Sequence, residues 1–168
     1  KDAVGQSLGI ITLEAAGHFV PIQHDRADPE VGKNRGRDGG RVAGDNVVTY
    51  QANMTGTARY VRTSDKVLEY LTHGVPADTI AIVDDSGGTL TAPVLEKFKG
   101  VLCAGGTTRS HLAILTREYG IPCLMNSRLS GIKDGDRVEI EISARAKTGE
   151  DYAHGIDASA RVWRLTRG

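Results

Sequence analysis

Three short apolar runs constrain this chain more than any other feature: Thr79–Val83 (TIAIV), Val101–Cys103 (VLC) and Pro122–Met125 (PCLM). Each is continuous rather than alternating, the pattern of a strand buried on both faces. Between the first two lies Ala92–Lys99, with Pro93 in its first turn and Gly100 after it, the punctuation of a short helix. Between the second and third lies His111–Tyr119, where Leu112, Ile114 and Leu115 are apolar. Gly120 stops that helix and Pro122 follows two residues later. Strand, helix, strand, helix, strand is the order that builds a parallel sheet flanked by helices, so the residues predict an α/β fold.

The flanks are less regular. A helix is expected from Ser64 or Asp65, as cap, to Gly74, carrying Val67, Leu68 and Leu71 at helical spacing. Residues 138–142 alternate as a strand after the turn at Lys133–Asp136, and residues 161–165 make a further strand. Residues 9–13 and 17–23 form an expected hairpin, and residues 46–51 and 57–62 two further strands. Residues 31–45 (VGKNRGRDGGRVAGD) have no apolar periodicity and are expected to be a flexible loop. The chain is thus expected to be one domain, with residues 1–53 a β-rich N-terminal elaboration and residues 54–168 the main body.

Composition narrows the classes of partner. Lys plus Arg and Asp plus Glu balance at 21 each, and no basic stripe interleaved with aromatics occurs. No nucleic-acid or acidic-lipid surface is therefore expected, and small molecules or proteins fit better. No run approaches the ~20 apolar residues of a membrane span. The sequence opens at Lys1 with no apolar signal segment, and a cytoplasmic protein is expected. Cys103 and Cys123 have no metal-ligand spacing and sit in strand-like runs, as reduced core thiols do. His18, His24, His73 and His154 lie far apart without carboxylates at ligand spacing and read as surface or capping residues, so no metal site is expected.

The segment that carries chemistry is Gly105–Leu124 (GGTTRSHLAILTREYGIPCL), where a Gly-Gly turn leaves a buried strand and enters a helix beginning at His111. The unpaired N–H groups of a helix start, with the dipole behind them, hold anions such as a phosphoryl group. Thr107, Thr108 and Ser110 add hydroxyls, and Arg109 adds a guanidinium suited to phosphate oxygens. The same positive end favours a neutral imidazole with a lone pair for attack at phosphorus. The residues equally suit a plain helix start, with Ser110 as N-cap and His111 an exposed first-turn side chain. Asp84-Asp85, at the carboxyl end of TIAIV, reads as a solvated turn although ligands do bind at such ends.

Gly106-Thr107-Thr108-Arg109-Ser110-His111, Ala113-Ile114, Arg117-Glu118 and Gly120-Ile121-Pro122 together resemble the signature of the mobile phosphohistidine domain of the phosphoenolpyruvate-utilising enzymes. That family includes phosphoenolpyruvate synthase, pyruvate phosphate dikinase and enzyme I of the sugar phosphotransferase system. The likeness is continuous from Pro93 to Pro122 and looser from Thr55 to Val138. It implies a swivelling β/β/α domain whose histidine, here His111, accepts a phosphoryl group at one site and delivers it at another. It also implies phosphate-binding roles for Gly106, Thr107, Thr108, Arg109 and Ser110, with Arg117 and Glu118 as supporting groups. The chain departs from the pattern at Thr107 (usually Gly), Arg109 (usually Thr), Thr116 (usually Ala) and Ser86-Gly87-Gly88, which replaces a Thr-x-Pro element.

No P-loop pattern is present and the length excludes a barrel of the enzymatic kind. The resemblance therefore implies a phosphotransferase component of dikinase or synthase type that binds no cofactor itself. It would rely on nucleotide-binding or phosphoenolpyruvate-binding subunits or domains, with Mg²⁺ and ATP or phosphoenolpyruvate in the partner's site. A small molecule would be the acceptor. Two other readings stay open. One is a non-phosphorylated swivelling lid or substrate-binding subunit, as in an aconitase-like dehydratase, in which Ser86-Gly87-Gly88 and Ser110 bind substrate. The other is an interaction module without chemistry.

Overall fold

The computed structural model describes residues 37–84 and 87–166; the expected hairpin at 9–13 and 17–23, and Ser86, lie outside them. Along the chain run β1 (Arg37–Asn46), β2 (Met54–Tyr60), α1 (Ser64–His73), β3 (Thr79–Val83) and α2 (Gly87–Thr91). A 3₁₀ segment (Ala92–Lys97), β4 (Gly100–Cys103), α3 (His111–Tyr119) and β5 (Cys123–Met125) come next. β6 (Arg137–Ile140), α4 (Gly149–Ala153) and β7 (Ser159–Leu165) complete the order.

The strands close into a barrel in the order β1-β5-β4-β3-β2-β6-β7, with β7 paired back to β1. β2, β3, β4 and β5 are successive parallel neighbours. β6, β7 and β1 complete the ring through antiparallel pairs. This corrects the expected α/β swivelling β/β/α architecture. The apolar runs are buried on both faces as anticipated, but helices cover only one of those faces. Ala81, Val83, Val101, Cys103, Cys123 and Met125 meet Leu95, Phe98, Leu112 and Ala113 from the helical layer. The intervening residues, Ile80, Ile82, Leu102 and Leu124, point the other way and meet Val138, Ile140, Ala160 and Val162. The second face is thus covered by the sheet curling back on itself, and closure leaves no exposed edge among the described strands.

β1 also corrects the loop expected at 31–45, because residues 37–45 are strand. Their glycines serve geometry rather than flexibility. The pairing of β1 with β7 shifts register between Asp38 and Val42, an irregularity that bends the strand around the ring. Gly44 sits where a Cβ would lie 3.0 Å from Leu124 Cβ and 3.1 Å from Met125 O, and against Ser127 Oγ, so the strand can approach β5 only with glycine there.

The remaining shifts are local. β2 starts and ends earlier than expected, and residues 47–51 are bends rather than strand. α1 is capped by Thr63, whose side chain accepts from Lys66 N–H, instead of by Ser64 or Asp65. Its packed residues are Val67 and Tyr70, the latter edge-on to Phe98 at 6.2 Å, while Leu68 and Leu71 are exposed.

Gly44→Ala is expected to lower stability by about 1–3 kcal/mol through overpacking at the β1–β5 seam. Urea unfolding checks this as a lower midpoint with an unchanged slope.

Candidate functional site

β4 ends at Cys103 and the chain turns through Gly105 and Gly106, the latter at φ 72, a left-handed conformation that suits glycine. The turn is fixed to the barrel at its entry: Asn126 N–H donates to Gly105 O at 2.9 Å and Ser127 N–H to Cys103 O at 2.8 Å. Within it, Ser110 N–H donates to Thr107 O at 3.0 Å and Thr107 N–H donates to Ser110 Oγ at 2.8 Å. Arg109 N–H donates to Thr107 Oγ1 at 3.2 Å. Both hydroxyl oxygens thus serve as acceptors inside the turn.

His111 is the first residue of α3 and is exposed. Ser110 occupies the N-cap position but its side chain makes no capping bond to the helix. Ile114 N–H reaches Ser110 O at 3.0 Å, so the N–H groups of the turn before it lack intrahelical acceptors. A helix end without a side-chain cap forgoes about 1 kcal/mol and offers its donors to an external anion. The helix itself is held by buried Leu112, Ala113 and Thr116 and closed by left-handed Gly120. An exposed histidine therefore stands on a rigid base.

The other expected residues divide. Gly106, Thr107, Ser110 and His111 are brought together by the turn. Thr108 is buried, and both its donors are engaged away from the turn: its N–H with Tyr152 Oη at 3.2 Å and its hydroxyl with Lys147 O at 3.1 Å. The Arg109 guanidinium lies against the Gly149 backbone, in the space a side chain at 149 would fill. Arg117 reaches back along α3 and donates from Nη2 to Thr108 O at 3.1 Å. Glu118 is exposed, about 10 Å of helix rise from His111, and is not brought to the turn. Asp84 pairs with Arg62 at 3.2 Å on the surface.

Sequence reasoning missed the group that holds Thr108. Asp45 of β1 is 2% exposed. It accepts from the Tyr152 hydroxyl at 2.7 Å on Oδ2 and pairs with Lys147 Nζ at 3.2 Å on Oδ1. Burial first, and then the hydrogen bond to Asp45, raise the Tyr152 hydroxyl above its ordinary pKa, which keeps it a donor toward the carboxylate. Tyr152 belongs to α4, which starts with a capping box: Thr148 Oγ1 accepts from Asp151 N–H, and Asp151 accepts from Thr148 N–H. Two Arg145 nitrogens hold the same carboxylate at 2.8 and 3.1 Å. The Arg145 hydrogen bond, followed by that of the Thr148 backbone, holds the Asp151 carboxyl well below the usual carboxylate range. The Thr148–Asp151 spacing was the one signal in the sequence that could have exposed this element.

Cys103 and Cys123 are buried and unbridged, and burial pushes the Cys123 thiol up to about 12. Among the described residues no group of three or more His, Cys, Asp or Glu side chains is placed to hold a metal ion. Among them, too, no helix is long and apolar enough to cross a membrane.

Barrel and turn together define a small domain that presents one histidine at an uncapped helix start. Residues 75–145 match the family model described as PEP-utilising enzyme, mobile domain. β1 with Asp45, and the C-terminal segment with Lys147 and Tyr152, lie outside the match. The chain is also similar to the holo form of Thermococcus kodakaraensis aconitase X, at 13% identity and a TM-score of 0.42 over 76% of this chain and 100% of that one. No curated protein matches.

Tyr152→Phe leaves the Thr108 N–H and one Asp45 oxygen without a partner, and is expected to cost about 1–3 kcal/mol. Faster hydrogen exchange at the Thr108 amide, with the β3 and β4 amides unchanged, checks that the loss is local. The Asp151 shift has a defined sign. Its lowered folded pKa adds stability that is fully present above the unfolded value of about 3.9 and is lost as pH falls through the folded value. Melting temperatures of Asp151→Asn and the parent are expected to differ at neutral pH and to draw progressively together as pH falls below about 3.9.

Proposed function

We propose that the chain is a phosphoryl carrier in which His111 accepts a phosphoryl group from a partner that uses phosphoenolpyruvate or a nucleotide and hands it to a small-molecule acceptor. The supporting observation is the exposed His111 at the first position of an uncapped α3, inside the segment that matches the mobile domain.

In this reading an imidazole nitrogen attacks phosphorus with its lone pair, the donor's bridging P–O bond breaks, and the departing oxygen keeps the electron pair. The phosphoryl oxygens then face the α3 N–H groups and the O–H protons of Thr107 and Ser110, whose oxygens already accept inside the turn. Gly106 lets the backbone approach the group closely. Arg109, seated on Gly149, adds positive potential beside the turn. Thr108 and Arg117 tie the turn to the rest of the domain without touching phosphate. In the second step an acceptor oxygen attacks phosphorus, the P–N bond breaks and the imidazole regains its lone pair. Nucleotide-binding or phosphoenolpyruvate-binding partner subunits or domains supply Mg²⁺ and the donor, placing the chain in a dikinase or synthase type of phosphotransferase in the cytoplasm.

Incubation with a partner subunit and ³²P-labelled phosphoenolpyruvate or ATP is expected to give an acid-labile, base-stable label on the chain. The label falls to background in His111→Ala, while His73→Ala and His154→Ala retain it. A chain that takes no label from a partner shown to phosphorylate another carrier would overturn the reading.

A further inference from the structure

Tyr152, whose hydroxyl meets the histidine turn at Thr108, also lines a pocket of about 360 Å³, at the lower end of the range for small-molecule sites. Its polar lining is unevenly committed. The carboxylates are each engaged: Asp45 by Lys147 and Tyr152, Asp151 by Arg145 and Thr148, and Asp157, on Oδ1, by the Ser159 N–H and hydroxyl, with Lys147 and Arg128 acting on it at longer range. The donors are not. Lys147 Nζ spends one of three protons on Asp45 and lies 4.5 Å over the Tyr152 ring. The Arg128 guanidinium and the Asn126 amide line the same pocket, and neither side chain has a hydrogen bond or ion pair among the described residues.

A pocket whose carboxylates each have partners and whose Arg128, Lys147 and Asn126 donors are open suits an anion. Ile156, 47% exposed at its edge, adds an apolar contact that favours an organic anion over a bare inorganic one. Asn126 marks the place a second way. It is a non-glycine residue held at φ 49, a conformation that costs energy and gathers at binding sites.

We infer that this pocket binds a small organic acid through its carboxylate, on Arg128, Lys147 and Asn126, and that its occupancy is felt at the histidine turn. Two contacts carry the coupling. Tyr152, in the pocket wall, accepts the Thr108 N–H at 3.2 Å, and Asn126, at the rim, donates its N–H to Gly105 O at 2.9 Å. A carboxylate drawn to Lys147 competes with Asp45 for the ammonium and so bears on the residue that orients Tyr152. None of this requires His111 to carry a phosphoryl group.

Titration of the ¹⁵N-labelled full chain with pyruvate, succinate and inorganic phosphate, each to the order of 10 mM, tests the assignment without any phosphoryl donor. Saturable amide shifts at Asn126, Arg128 and Tyr152 with pyruvate or succinate, accompanied by a shift at Thr108, are expected. Arg128 is exposed, so Arg128→Ala should fold normally and weaken binding at least tenfold, about the value of one charge-assisted hydrogen bond. In Tyr152→Phe the Thr108 shift is expected to shrink relative to the shifts at Asn126 and Arg128. Saturation by phosphate alone, binding indifferent to Arg128→Ala, or no saturation with any of the three overturns the site. A Thr108 shift that keeps its full size relative to those at Asn126 and Arg128 in Tyr152→Phe overturns the coupling through Tyr152.

Discussion

The buried carboxylate of Asp45 is the point on which the rest of this structure turns. Its backbone stands opposite both Met125 of β5 and Ser159 of β7, the two neighbours through which β1 closes the barrel. Its side chain gathers Lys147 and Tyr152, and through Tyr152 the turn that bears His111. A charge this deep is tolerable only when paired and fully hydrogen-bonded, and removing one partner of such a pair typically costs about 3–5 kcal/mol. Barrel closure and the posture of the histidine turn therefore share one residue, and loosening either reaches the other.

This sharing divides the labour of the domain. β3, β4, β5 and α3 bring His111 to the surface and lie in the segment that matches the mobile-domain model. The anchors that hold the turn from behind come from β1 and from the stretch around α4, outside that segment. Thr108 is where the two parts meet: its amide and hydroxyl face the C-terminal segment, and its carbonyl accepts from Arg117 of α3. The expectation that Thr108 would cradle phosphate arose because a hydroxyl near a glycine turn looks the same in sequence whether it faces solvent or the core.

What could be read from the residues and what could not follows from the range of the forces involved. TIAIV and the helix from His111 to Tyr119 emerged at their observed bounds, because apolar continuity and glycine punctuation are local signals. The ring did not. β1, RDGGRVAGDN, is polar and glycine-rich, and its reason for being a strand lies in partners far along the chain: Met125 of β5 opposite Asp45, and β7 across the register shift. Likewise Asp45 meets Lys147 and Tyr152 across 102 and 107 residues, a distance no periodicity spans. The exposed placement of Leu68 and Leu71 has the same origin. Which side of α1 is inward is decided by Phe98 and its neighbours, not by the apolar count.

The bonds inside the histidine turn have a mechanical consequence. Thr107 and Ser110 hold each other through two reciprocal contacts, Thr107 N–H to Ser110 Oγ and Ser110 N–H to Thr107 O, and Arg109 N–H closes a third on Thr107 Oγ1. The three residues form a self-contained ring, to which Tyr152 and Arg117 attach as outside struts through Thr108. When Tyr152 or Arg117 lets go, the ring is free to tilt as a solid piece rather than melt. His111, fixed to its end, then changes direction without losing aim, as a cartridge does when its mount is turned.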